Sequence, residues 1–108
     1  MKTVSDAFIL RTAKSVVTEE AAALRLAAAG LGKDFVRAVR CILAAGGKVV
    51  VLGVGKSGLI ARKIASTLSS TGTPSVYIHP VESLHGDMGL IAKGDIILAL
   101  SYSGETEE

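Results

Sequence analysis

Three short stretches of this sequence carry side chains that could do chemistry together. The first is Gly53-Val54-Gly55-Lys56-Ser57-Gly58, directly after an apolar run and at the opening of a helical pattern. Glycines let a backbone approach an anion closely, and a helix N-terminus offers unpaired N–H groups and the positive end of the helix dipole. Ser57 adds a hydroxyl and Lys56 a charge, and the three glycines exceed what a strand-to-helix turn needs. The second stretch is Ser101-Tyr102-Ser103-Gly104-Glu105-Thr106, where Ser101, Ser103 and Thr106 set three hydroxyls around a turn after another apolar run. A phosphate has several acceptor oxygens and suits such a nest of donors. By type alone the same residues could equally be N-caps. Their place at the carboxyl end of a neighbouring strand favours binding, because open parallel sheets hold ligands just beyond those ends. The third stretch is Ser83-Leu84-His85-Gly86-Asp87. Its His85 is either an acid or base, or a loop histidine with a structural hydrogen bond.

Two well-known anion-binding patterns can be tested against the first stretch. It matches G-x-G-x-x-G, but the dinucleotide fingerprint also needs an acid at the end of the second strand to hold a ribose. Here that strand ends at Ile78 and runs into His79-Pro80, so a dinucleotide is disfavoured. The P-loop needs a glycine five residues before the one in Gly-Lys-Ser, and that position is Val50. His79, His85 and Asp87 lack a metal-ligand spacing and Cys41 is far away, so no metal is expected.

These loops need elements to position them. Residues 5–29 read as a helix with Ile9, Ala13, Val16, Val17, Leu24 and Ala27 in an apolar stripe, ended by Gly30 and Gly32. A second helix is predicted over 34–45, with Asp34 as N-cap, Phe35, Val36, Val39, Ile42 and Leu43 turned inward, and Gly46-Gly47 as the stop. The period then changes. Residues 48–52 form a continuous apolar run, which is how a strand covered on both faces of a parallel sheet reads. A helix over 57–71, a strand over 75–78, a mixed stretch over 79–94 with one helical turn, and a buried strand over 95–100 follow. Residues 105–108 look like the start of another helix.

Parallel strands joined by crossovers imply a doubly wound α/β fold, with helices on a parallel sheet. Residues 1–47 are expected to form an N-terminal helical segment and 48–108 the first half of the α/β core. A third strand with no further neighbour would be an edge, and the chain stops as a helix begins. The expectation is that the domain continues beyond Glu108, and that these 108 residues alone are an inactive monomer.

Composition narrows the class. Of the residues, 49% are hydrophobic but only 4% aromatic, so a packed core is expected and must be aliphatic. Residues 1–63 hold 11 basic and 4 acidic side chains, a balance of +7, whereas residues 64–108 hold one base and six acids, a balance of −5. Solvated helix faces account for this, and no basic cluster is interleaved with aromatics, so nucleic acid is not an expected partner. The single Cys41 falls in an apolar helical pattern and is expected to be a buried, inert thiol. No run of about 18 apolar residues suggests a membrane span, and no signal-peptide order opens the chain. A cytoplasmic enzyme or binding module fits.

The sequences V-L-G-V-G-K-S-G at 51–58, S-T-G-T-P-S at 70–75, H-P-V-E-S-L-H-G-D-M-G at 79–89 and S-Y-S-G-E-T-E-E at 101–108 resemble the SIS (sugar isomerase) domain of bacterial arabinose-5-phosphate isomerases. The resemblance implies a three-layer α/β/α domain with a five-stranded parallel sheet, usually followed by two CBS repeats in a homo-tetramer. It implies interconversion of D-ribulose 5-phosphate and D-arabinose 5-phosphate, feeding Kdo and hence lipopolysaccharide synthesis, without cofactor or metal. Carried over by position, Gly55, Ser57, Ser101, Ser103 and Thr106 would hold the substrate phosphate, and Lys56, His85 and Glu108 would sit at the reacting sugar. A further catalytic Glu and His of that family would lie beyond residue 108, so the base is either Glu108 or that later Glu. Tyr102 departs from the smaller or amide side chain commonest there, which bears on the choice of sugar. SIS domains also serve as non-catalytic sugar-phosphate sensors, which need the phosphate cradle but no acid–base set.

Overall fold

The computed structural model describes residues 3–84 and 86–105, with the side chains of Asp87 and Met88 left aside. The chain divides into two compact units, Met1–Arg37 and Ala38–Glu108.

The first unit is dominated by helix α1, Asp6–Gly30. Ser5 caps it by accepting the Phe8 N–H at 3.3 Å, and Asp6 places a negative charge on the first turn, where the helix dipole favours one. The helix forms as expected, but α1 buries none of its residues, and Ile9, Val16, Val17 and Leu24 of the apolar stripe are all exposed. Periodicity reports which residues share a face and cannot by itself supply the surface that covers it.

Helix α2, Lys33–Ala44, starts one residue earlier than expected. Asp34 is therefore not its cap. It sits inside the first turn, paired with Arg37 at 3.0 Å across an exposed i,i+3 spacing. Phe35, Val36, Val39 and Leu43 are exposed, and of the five residues expected to turn inward only Ile42 packs against the core. Cys41, one helical step from Ile42, is exposed rather than buried.

The second unit is built on strands β1 (Val49–Leu52), β2 (Ser75–Ile78) and β3 (Ile96–Ala99), in the order β2-β1-β3 and all parallel. The continuous apolar run reads correctly as the central strand: Val49, Val50 and Val51 are at most 1% exposed. Helix α3, Gly55–Ser70, returns the chain from β1 to β2 and buries Ala61 and Ala65 against Val49 and Val51. Small residues on this face let the helix lie close to the sheet, with Ile64 and Leu68 filling the flanks. β3 is only half covered, with Ile97 52% exposed, because it is an edge strand with a neighbour on one side among the described residues.

Between β2 and β3 the chain makes a short helix α4, Pro80–Ser83, and a 3-10 turn, Asp87–Leu90. Proline suits the first position of α4, where its missing N–H is not needed. The Nδ1 atom of His79 accepts the Val81 N–H at 3.2 Å, and buried Ser83 donates its hydroxyl to the Pro80 carbonyl at 2.6 Å. His79 thus caps the helix through Nδ1. At the amino end of the sheet, Asp95 ties β3 to β1 through Lys48.

Candidate functional site

The register brings the carboxyl ends of the strands out flush. Leu52 pairs with Ile78 on one side and Ala99 on the other, and the Leu100 N–H reaches the Leu52 carbonyl at 2.9 Å. The chain leaves β1 toward β2 and later returns to β1's other side as β3. The crevice between the ends of β1 and β3 is therefore a topological switch point, where an open parallel sheet leaves room for a ligand. A cavity of about 320 Å³ opens there, lined by Gly53, Val54 and Ser57 from the first loop and by Ser101, Tyr102 and Ser103 from the second. A second recess adjoins it, lined by Lys56, Ser57, Ile60, Leu100, Ser101 and Tyr102.

The first loop is shaped by its glycines. Gly55 has φ +57°, a left-handed conformation that costs a side-chain-bearing residue roughly 1–2 kcal/mol. At Gly58 a Cβ would lie 2.7 Å from the Gly53 carbonyl oxygen and 2.9 Å from the Tyr77 hydroxyl, so helix α3 can start this close to β1 only with glycine there. The N-cap of α3 is Val54, whose side chain makes no capping bond. Valine is among the poorest N-caps, and the first N–H groups of a helix have no acceptor within it. The amides at the start of this 16-residue helix are thus left for another acceptor, with the helix dipole behind them. The Ser57 hydroxyl, half-buried in the cavity wall, makes no hydrogen bond among the described residues.

The second loop is a pair of side-chain-closed turns. Ser101 Oγ accepts the Gly104 N–H at 2.9 Å, and Ser103 Oγ accepts the Glu105 N–H at 3.1 Å. An oxygen used as an acceptor in this way retains its O–H for donation, so the turn holds Ser103 in place and leaves its donor available. Residues 102–104 form a bend and Glu105 is not helical; the rest of the helix start expected over 105–108 lies outside the described residues.

Of the residues carried forward from the sequence, Ser57, Ser101 and Ser103 line the one cavity and Lys56 lines the recess beside it. Gly55 opens α3 and lines neither. His85, Thr106 and Glu108 lie outside the described residues. No group of three His, Cys, Asp or Glu side chains suited to a metal occurs among the described residues. Sequence reasoning missed Tyr77, whose hydroxyl donates to the Gly53 carbonyl at 2.7 Å. It also missed the apolar wall of Leu52, Pro80, Ala99 and Leu100. A valine where a helix needs a cap is a further local sign at the start of α3, beside the glycines, Lys56 and Ser57.

A parallel sheet with an uncapped helix start and a serine turn at its switch point defines an open α/β domain with a donor-lined crevice. Residues 42–108 match the SIS domain family, and the chain belongs to it. The chain is 59% identical over 80 residues to the arabinose 5-phosphate isomerase KdsD of Pseudomonas aeruginosa, covering 74% of this chain and 24% of that protein. It is 59% identical over 78 residues to the arabinose 5-phosphate isomerase GutQ of Escherichia coli K12, covering 72% and 24%. Among solved structures it resembles the c3406 protein of E. coli CFT073 in complex with arabinose 5-phosphate, at 39% identity and a TM-score of 0.90, over 95% of this chain and 55% of that one. The chain thus spans about a quarter of these curated relatives and about half of the solved structure. No helix among the described residues is long and apolar enough to cross a membrane.

Proposed function

We propose that this chain carries the phosphate-binding half of the active site of an aldose–ketose isomerase that interconverts D-ribulose 5-phosphate and D-arabinose 5-phosphate, with the product drawn into Kdo synthesis. The observation that carries the reading is the meeting of Ser57, Ser101, Ser103 and the uncapped start of α3 around one crevice. Hydroxyl and amide donors converging on one point suit a dianion. The names of the relatives supply the sugar.

Moving a carbonyl between C1 and C2 requires a base to remove the proton from the carbon next to the carbonyl. The electron pair left behind forms an enediolate, which takes the proton back at the other carbon while a proton moves between the two oxygens. In this reading the serine hydroxyls and α3 amides fix the phosphate. The recess beside the cavity sets Lys56 against the sugar, where its charge stabilises the enediolate oxygen. Binding energy from the phosphate, remote from the reacting carbons, holds the substrate in register. His85 and Glu108 are assigned to proton transfer by their positions in the sequence.

Titration of the purified protein with arabinose 5-phosphate, inorganic phosphate and NAD, followed by backbone amide chemical shifts, tests the reading. The first two ligands should shift residues 53–58 and 101–104 together, and Ser103→Ala should weaken both by about tenfold. No response of these loops to either phosphate, or a stronger response to NAD, would remove the proposal. In the full-length protein, tight sugar-phosphate binding without any turnover would favour a sensor over an enzyme.

A further inference from the structure

Tyr77 is the third residue of β2, paired with Val51 of the central strand, and its ring packs beside the cluster of Val49, Val51, Ala61 and Ala65. Three contacts hold it. Its hydroxyl donates to the Gly53 carbonyl at 2.7 Å, the Arg62 guanidinium lies 4.6 Å from its ring centroid, and Gly58 leaves the space that its hydroxyl and the Gly53 carbonyl occupy. Gly58 and Arg62 are four residues apart on α3, so one face of that helix brackets the tyrosine.

The direction of the held peptide matters more than the bond itself. In a parallel sheet the N–H and C=O of one residue point to the same side, and successive residues alternate sides. Along β1, Lys48 and Leu52 give their carbonyls to β3, accepting from Ile96 and Leu100, while the Val49 N–H goes to Pro74 on the β2 side. Continued one step past the strand, the alternation turns the Gly53 carbonyl toward β2, where Tyr77 takes it. In a trans peptide the next N–H points the opposite way. The Val54 N–H is therefore turned toward β3 and the switch-point crevice, whose wall includes Val54. It makes no hydrogen bond with another described residue.

We propose that Tyr77 is a positioning residue of the phosphate site, which locks the Gly53–Val54 peptide so that the Val54 N–H serves as a further donor to the bound anion. The inference rests on the phosphate reading of the crevice and adds to it a donor, and the residue that aims it. Without the hydroxyl, the Gly53 carbonyl loses its partner and the peptide can rotate, presenting a carbonyl dipole to the anion in place of an N–H.

The test is a titration of the wild-type protein and Tyr77→Phe with inorganic phosphate and with arabinose 5-phosphate, read at individual amides. In the wild type the Val54 amide should move together with that of Ser103. In Tyr77→Phe, which keeps the ring and its packing, affinity should fall about tenfold and the Val54 response should be lost while that of Ser103 remains. Arg62→Ala, which removes the stacked cation and leaves the hydroxyl, should bind phosphate as the wild type does. Unchanged affinity and an unchanged Val54 response in Tyr77→Phe would overturn the proposal. Should that variant fail to fold, the wild type decides alone, because a Val54 amide indifferent to phosphate while Ser103 responds overturns it equally. Silence at both amides in the wild type would instead bring down the phosphate reading beneath it.

Discussion

Asp95 holds Lys48 by two different groups at once: Oδ1 accepts the Lys48 backbone N–H at 2.9 Å, and Oδ2 pairs with its Nζ at 2.6 Å. Oδ2 also accepts the Ala92 N–H at 2.7 Å, so one carboxylate ties β3, the turn before it and the start of β1. The Asp95 side chain is 3% exposed. The Lys48 hydrogen bond first, then that from Ala92, hold its carboxyl down at about 2. A carboxyl lowered in the folded state stabilises the fold fully above its unfolded value near 3.8, and that contribution fades as pH falls through about 2. Asp95→Asn should therefore lower the melting temperature at neutral pH, and the gap to wild type should close between pH 4 and pH 2. A gap that stays constant over that range would show that the charge of Asp95 is not its source.

The close approach of α3 to β1 makes a second prediction. Gly58→Ala sets a methyl group against the Gly53 carbonyl and the Tyr77 hydroxyl, and neither can withdraw without moving the first loop. Overpacking of this kind costs about 1–3 kcal/mol. Urea unfolding should show that loss, and phosphate affinity should fall with it, because the same displacement carries Ser57 and the α3 amides. A Gly58→Ala variant with wild-type stability and affinity would mean that the loop is free to adjust.

How much of this was legible in the sequence depends on the range of the interaction that decides it. The central strand was readable because burial on both faces leaves an unbroken apolar run, and Val49, Val50 and Val51 have no exposed face to mark with a polar residue. The bounds of β2 were readable because Gly72-Thr73-Pro74 and His79-Pro80 punctuate it. The inward faces of α1 and α2 were not, since a stripe at helical spacing says nothing of what stands opposite; Cys41 and Leu43, expected inside, are exposed. In the site, the loops announced themselves by composition. The Tyr77–Gly53 bond, 24 residues apart in sequence, follows from strand register and left no local trace.

Lys56 and the serines should separate by assay. Lys56 lines only the recess and Ser103 only the cavity, whereas Ser57 and Ser101 border both. If the lysine acts on the enediolate and the serines on the phosphate, Lys56→Ala should lower turnover of the full-length protein about 10²- to 10³-fold while phosphate affinity changes little. Ser103→Ala, likewise assayed in the full-length protein, should do the reverse, raising KM with kcat largely kept. Normal turnover in Lys56→Ala would take that residue out of the chemistry, and an equal loss of affinity in both variants would merge the two roles into one.

Tyr102 is fully exposed, yet it lines both the cavity and the recess, between Ser101 and Ser103. A large ring with no packing partner among the described residues contributes little to the fold, and Tyr102→Ala should change stability by no more than about 0.5 kcal/mol. If the serines of this crevice hold a phosphate, the exposed ring of Tyr102 between them is within reach of the sugar attached to it. Inorganic phosphate, which has no carbon chain, should therefore bind Tyr102→Ala as it binds the wild type. Arabinose 5-phosphate should bind severalfold more weakly, because aromatic faces cover apolar C–H surface and exclude water from it. Parallel titrations with the two ligands measure the difference. Equal weakening for both would place Tyr102 among the phosphate contacts, and no weakening for either would leave it a surface residue with no part in choosing the sugar.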